Sequence, residues 1–280
     1  MSQLSRHDLD SEFAKDEAIF SEPREVDLWP KNVHPHRFVS KGFRMEARIT
    51  LSALRRRANP KRFMVYGRPR SGTTLLNHLL NQLPDVQADG ELMHFGLARP
   101  HSFPAVAARN SKRPFYGFKL LSYQLMDVQR ITRPLHFFDR AVSDGYKLLH
   151  LRRNSWEQTL SLAKAHATGR YFNKTGVGDD SNIKIDPEMF RDLLAWNLRM
   201  LKYEDAVMSH LPHMRLQYED SLRSGEQHQE TIDRICQFIG AKTDLVAAKM
   251  KRTGAEGGKV VVANMETLKG VAAEMGVSPS

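Results

Sequence analysis

Short continuous apolar runs alternate along the chain with longer segments whose apolar positions recur every three or four residues. Phe63-Met64-Val65-Tyr66, the stretch from Phe115 to Leu121 and the stretch from Tyr146 to Leu151 are runs of the first kind. Bounded by turn residues and rich in aromatic and branched side chains, they suit strands buried on both faces of a parallel sheet. Met214 to Tyr218 reads as a further strand. Between these runs, Leu75, Leu76, Leu79, Leu80 and Leu83 share one helical face. A second helix follows Arg152-Arg153-Asn154 to about Ala167, and a third spans 187–208. In the third, Met189, Leu193, Trp196, Met200, Tyr203 and Val207 form a stripe that reads as core. A fourth, 226–240, ends on Gly240. Strands alternating with helices predict an α/β fold of three layers, a central, mostly parallel sheet with helices on both faces.

Two stretches lack periodicity. Residues 95–114 are rich in small residues, Pro and Arg, and 169–186 hold three glycines and several Asn and Asp. Long loops of this kind serve as lids or binding segments. Residues 84–91 (Pro84-Asp85-Val86-Gln87, then Ala88-Asp89-Gly90-Glu91) read as the end of the first unit. Residues 1–59 are charged and carry Pro23, Pro30 and Pro35, which predicts an N-terminal extension packed on the domain surface or on a second copy in a homodimer. Residues 60–280 form the domain proper. Within the extension, 43–57 has helical character, with Phe43, Ala47, Thr50 or Leu51, and Leu54 expected inward and a basic face outward.

Charge narrows the partners. The 42 Lys and Arg against 32 Asp and Glu leave a net charge of +10, which favours anionic ligands. The basic residues are dispersed, without the clustered or aromatic-interleaved array of a nucleic-acid binder. One cysteine, Cys236, excludes an intrachain disulfide and points to a reducing, cytoplasmic setting. It falls among Ile232, Ile235, Phe238 and Ile239 at helical spacing and reads as a packing thiol. No apolar run approaches the ~18 residues of a membrane span.

The chemistry concentrates in residues 63–76, FMVYGRPRSGTTLL. A strand, a glycine-rich basic turn and an immediate helix start make an anion cradle, with backbone N–H groups and the positive helix end facing the ligand. Gly67, Gly72 and Thr74 keep the spacing of a nucleotide-binding P-loop, so the fold is expected to be P-loop-like. The lysine of that motif is missing: position 73 is threonine, and the cations are Arg68 and Arg70. Such a cradle is ill suited to splitting ATP, and suits a 5′-phosphate whose attached reactive group meets an arginine. A second strand-to-helix junction holds Arg153, with Asn154 as N-cap, Glu157 placed for a capping box and Ser161 eight residues after the arginine. An arginine and a hydroxyl so placed can hold a phosphate, although a surface arginine with a helix-internal serine would look the same.

GRPRSGTTLL resembles the 5′-phosphosulfate loop of sulfotransferases that use 3′-phosphoadenosine 5′-phosphosulfate (PAPS), in the form with arginine at position 70 that carbohydrate, tyrosylprotein and many bacterial members carry. The resemblance extends over about residues 60–270. Arg153, Asn154 and Ser161 are similar to the family's 3′-phosphate motif, in which a proline stands where this chain has Ser155. The resemblance implies a PAPS-dependent sulfotransferase, with adenosine 3′,5′-bisphosphate (PAP) as donor product and a hydroxyl of a carbohydrate, glycolipid or small molecule as acceptor. It implies Arg68, Arg70, Ser71, Gly72, Thr73, Thr74, Arg153 and Ser161 as donor-binding residues, Arg70 also stabilising the leaving phosphate. Pro84-Asp85-Val86 followed by Glu91 resembles the tyrosylprotein sulfotransferases and implies Glu91 as general base, with His94 its rival. Lys119, in Gly-Phe-Lys-Leu, is similar to a donor-facing lysine of bacterial members. Lys251 and Arg252, in a basic glycine-rich stretch, match a loop over the 3′-phosphate. No metal is implied, and no Cys/His ligand cluster is present in the sequence. The alternatives are a P-loop kinase or NTPase, and a non-catalytic nucleotide-binding protein of the same fold.

Overall fold

The structure, a computed structural model, describes residues 39–56, 58–169, 182–247 and 261–279. Its helices are α1 (Val39–Arg55), α2 (Thr73–Leu80), α3 (Phe103–Ala108), α4 (Pro134–Ser143), α5 (Ser155–Thr168), α6 (Pro187–Met208), the single turn α7 (Tyr218–Ser221), α8 (Gly225–Ile239) and α9 (Met265–Glu274). The strands are β1 (Lys61–Gly67), β2 (Val86–Glu91), β3 (Phe115–Leu121), β4 (Tyr146–Arg152), β5 (Asn182–Ile183), β6 (His213–Gln217) and β7 (Val261–Val262). A π-helical turn, Gln124–Val128, follows β3 directly.

Five strands form one sheet in the order β2-β3-β1-β4-β6, and every pairing in it is parallel. The loop after β1 therefore opens at the middle of the sheet's C-terminal edge, where ligands of open α/β sheets bind. Alternation along β1 splits the core into two layers. Met64 and Tyr66 join Phe118, Leu148, Phe138, Trp196, Met200 and Tyr203 on one face. Phe63 and Val65 join Leu76, Leu79, Leu149, Leu216, Ile232, Ile235 and Cys236 on the other. A third cluster, including Trp156, Phe190, Leu193 and Leu268, forms where α5, α6 and α9 meet. The α/β architecture with helices on both faces is thus as the patterning predicts. Cys236 is buried, and burial, with Asp233 adding to it, pushes its thiol up to about 11.

Several local expectations are corrected. Residues 86–91 are an edge strand rather than a terminating loop, joined to β3 with a register shift between Asp89 and Glu91. Asp and Gly are poor strand formers, so only pairing with the well-formed β3 extends this segment. A short helix, α3, lies within the expected loop 95–114, and α9 lies in a C-terminal stretch to which the sequence reading assigned no element. Tyr218 starts α7 instead of ending a strand. In the expected loop 169–186, Asn182–Ile183 pairs in parallel with Val261–Val262, while 170–181 lie outside the described residues.

Helix α1 is turned from the expected orientation. Phe43, Leu51 and Leu54 are exposed, and Gly42, Glu46 and Ala53 face the domain. The buried face is displaced by one residue along the helix: Met45 and Ile49 pack against the core, and Gly42 and Glu46 meet the backbone of the loop before α3. Ala98 N–H and Arg99 N–H donate to the Glu46 carboxylate at 2.7 and 3.0 Å. Gly42 approaches Gly96 so closely that an added Cβ would stand 2.2 Å from the Gly96 carbonyl oxygen. Buried N–H groups must be satisfied, and a glutamate offering two of them a charged acceptor outweighs burial of three apolar side chains.

Candidate active site

The loop after β1 is held in shape by groups that never face a ligand. Gly67 passes so close to β4 that a Cβ would lie 2.4 Å from the Leu151 carbonyl oxygen. Arg68 then turns inward and is fully buried. Its guanidinium pairs with the equally buried Glu204 at 3.3 Å and donates to the Asn197 side chain and carbonyl, the latter at 3.1 Å, and to the Arg153 carbonyl at 3.3 Å. Burial lowers the pKa of this guanidinium and Glu204 opposes the shift, the balance expected of a charge stabilised by its partner in the interior. The Arg68 side chain is thus placed as a structural cation, turned into the protein beneath the loop. The Ser71 hydroxyl is likewise turned inward, buried and donating to the Arg68 carbonyl at 2.7 Å.

Beyond that anchor the loop presents itself outward. Arg70 adopts φ +64°, a left-handed conformation that costs a non-glycine residue about 1–2 kcal/mol. Gly72, with φ +99°, caps α2 and lies against the Tyr218 ring, where a Cβ would meet Cδ2 at 2.6 Å. Thr73 and Thr74 open α2, whose first N–H groups have no partner within the helix.

The second junction meets this loop directly. Asn154 caps α5 by accepting from Glu157 N–H at 3.2 Å. The expected capping box is only half formed, because Glu157 turns away to pair with Arg153 at 3.1 Å and Arg223 at 2.5 Å. Asn154 N–H is instead met by Glu219 at 3.0 Å. Arg153 stacks over Tyr218, 4.5 Å from the ring centroid, and donates through Nη1 to the Arg70 carbonyl at 3.1 Å. Its Nε is buried without a hydrogen-bond partner. Arg70 in turn donates from Nε to Ser161 Oγ at 3.0 Å, and Gln158 donates to the Pro69 carbonyl at 2.6 Å. The two motifs, 83 residues apart at Arg70 and Arg153, are laced together.

At the other margin of the loop, Lys119 of β3 reaches across the sheet edge. Its ammonium donates to Thr74 Oγ1 at 3.1 Å and pairs with Glu91 Oε1 at 2.8 Å. Glu91 Oε2 accepts from Gln124 at 2.7 Å and from Tyr123 OH at 3.4 Å, and lies 3.5 Å from His94 Nδ1. Burial alone would raise the Glu91 carboxyl, but the His94 contact and the Lys119 charge outweigh it and hold the group at about 2. His94 Nδ1 also lies 3.3 Å from Tyr123 OH, so both candidate bases sit in one cluster.

Of the residues singled out in the sequence, Arg70, Gly72, Thr73, Thr74, Lys119, Glu91, Arg153 and Ser161 thus line one continuous edge. Lys251 and Arg252 lie outside the described residues. The sequence reading missed Gln158, Tyr218, Asn197, Glu204, Tyr123 and Gln124. Nothing local in the sequence signals a role for these; in the structure Tyr123 and Gln124 stand at the start of a π-helical turn, a feature frequent at functional sites.

No protein-family model matches the chain. Among curated proteins it is similar to Nodulation protein H of Rhizobium tropici, with 28% identity over 126 residues, covering 40% of this chain and 49% of that protein. The chain thus spans about half the length of this relative. Among solved structures it is similar to mouse sulfotransferase SULT7A1 complexed with PAP, with a TM-score of 0.42 and 13% identity over 70% of this chain and 64% of that one. Among the described residues no helix is long and apolar enough to cross a membrane.

Proposed function

We propose that the chain is a PAPS-dependent sulfotransferase acting on a hydroxyl of a carbohydrate, glycolipid or small molecule. The observation that carries the reading is the meeting of two strand-to-helix junctions on adjacent strands, with Arg153 of one hydrogen-bonded to Arg70 of the other and its Nε buried without a partner. A ligand with a phosphate at each end of one adenosine suits that pair, whereas ATP would leave the second junction without a purpose. The motif resemblance over the loop and around Arg153 supports the same donor.

PAPS supplies an activated sulfuryl group whose leaving phosphate must gain charge as the bond to sulfur breaks. In this reading the α2 N-terminus, Thr73 and Thr74 hold the 5′-phosphate, while Arg153 and Ser161 hold the 3′-phosphate. Arg70 leaves its contact with Ser161 to meet the charge developing on the bridging oxygen, where a positioned cation stabilises the transition state more than the ground state. Glu91 takes the proton of the acceptor hydroxyl as its oxygen bonds to sulfur, and the electron pair of the broken bond goes to the phosphate oxygen. Residues 92–112 are the described acceptor-facing segment of this reading; most of the second segment expected for that role, 165–186, lies outside the described residues. The lone buried thiol of Cys236 suits a reducing, cytoplasmic setting.

Thermal unfolding of the full chain with PAP, ATP and AMP tests the donor assignment. A ligand that binds only the folded state raises the midpoint by mass action. PAP is expected to raise it several degrees more than ATP or AMP at equal concentration. Equal shifts from PAP and AMP would show that the second junction holds no phosphate and would overturn the reading.

A further inference from the structure

The cluster around Glu91 contains two donors of different kinds. Gln124 is fully buried and its amide cannot turn: Oε1 accepts from Leu121 N–H at 3.1 Å, which leaves Nε2 aimed at Glu91 at 2.7 Å. Lys119 is the opposite. Its ammonium sits at the end of a four-carbon stem with three rotatable donors, one spent on Glu91 and one on Thr74, the residue at the mouth of the anion cradle. A single cation therefore touches the expected base and the expected donor-phosphate site at once.

We propose that Lys119 is an exchangeable latch, holding the Glu91 carboxylate when the donor site is empty and leaving it for the incoming phosphate, so that donor binding itself turns Glu91 into a usable base. The inference rests on the sulfotransferase reading. With Lys119 in place the carboxylate is ionised but grips a proton weakly, at about 2, which suits an ion pair and not proton abstraction from an alcohol. A phosphate seated at Thr74 and the α2 N-terminus brings several anionic oxygens beside the ammonium, so Lys119 gains a second anionic partner that competes with Glu91. Thr74 already holds it within reach. The remaining groups facing Glu91 are His94, Tyr123 and Gln124, of which Gln124 stays to orient the freed carboxylate. The nearby Asp89 is engaged elsewhere, by Tyr116 OH at 2.9 Å and Gln87 at 3.2 Å.

The latch predicts proton uptake on binding. Released from Lys119, the carboxyl loses one of the two partners that hold it at about 2, so burial pushes it upward against His94 alone and it takes up part of a proton at mildly acidic pH, about 4.5. Calorimetric titration of PAP into the full chain at that pH, in buffers of different ionisation heat, counts the protons. Titration changes on the phosphates occur in every variant, so the difference between wild type and Glu91→Gln isolates Glu91. Wild type is expected to take up a measurable fraction of a proton more per PAP than Glu91→Gln. Lys119→Met, which has no latch to release, is expected to lose the same excess. Equal counts in wild type and Glu91→Gln with PAP bound would overturn the latch and leave the donor assignment standing. Absence of PAP binding in wild type would overturn the donor assignment, and the latch with it.

Discussion

Glu91 carries its charge at a measurable cost to acid tolerance. Its folded-state carboxyl lies at about 2, below the ~4.3 of an unfolded chain, so the stabilisation it lends is complete above pH ~4.3 and disappears as pH falls toward 2. Linkage gives a loss of about 1 kcal/mol between pH 5.5 and 3.5 from this residue alone. Urea unfolding of wild type and Glu91→Gln at those two pH values measures it, and the stability gap between them should shrink by that amount at the lower pH. A gap independent of pH would mean that the carboxyl is not held by Lys119 and His94. The same residue shows what the sequence conceals. Its position after Pro84-Asp85-Val86 marks it for attention, and His94 three residues on is visible too, but nothing in that spacing reveals Lys119, Tyr123 and Gln124, because they come from β3 and the turn beyond it.

Among the elements, β1 with its loop was readable and the neighbours that brace it were not. An uninterrupted apolar run followed by glycine and basic residues has few interpretations, and the stripe of α6 from Leu193 to Val207 is buried as its periodicity requires. Yet α6 buries a second face carrying Asn197 and Glu204, and these polar residues look solvent-facing until Arg68 is seen beneath them. In helix α1 the inward face is shifted by one residue because, beside Met45 and Ile49 on the core, two backbone N–H groups call for a carboxylate at Glu46. The Arg68–Glu204 pair yields a prediction of its own. Removing one member of a buried pair strands the other, at a cost of about 3–5 kcal/mol. Arg68→Met and Glu204→Met are each expected to lose that much in denaturant unfolding, while the double substitution loses markedly less than their sum. Simple additivity would contradict the pairing.

For the molecule as a whole, strand order matters more than any one loop. Because β4 lies beside β1, the turn carrying Arg153 arrives next to the turn carrying Arg70, and their hydrogen bonds make one unit of two distant segments. PAP binding should therefore slow amide hydrogen exchange in 68–76 and in 153–161 together, and protection confined to one of them would argue against a joined site. The lacing also bears on transplantation. A stretch such as GRPRSGTTLL invites grafting onto another scaffold as a ready-made module, but its shape is borrowed: Gln158 grips Pro69, Asn197 and Glu204 anchor Arg68, and Tyr218 floors Gly72. Moved without those foreign moorings, the decapeptide would arrive as an unshaped string, so recombination between relatives should succeed only where the crossover carries 67–74 and 153–218 from the same parent.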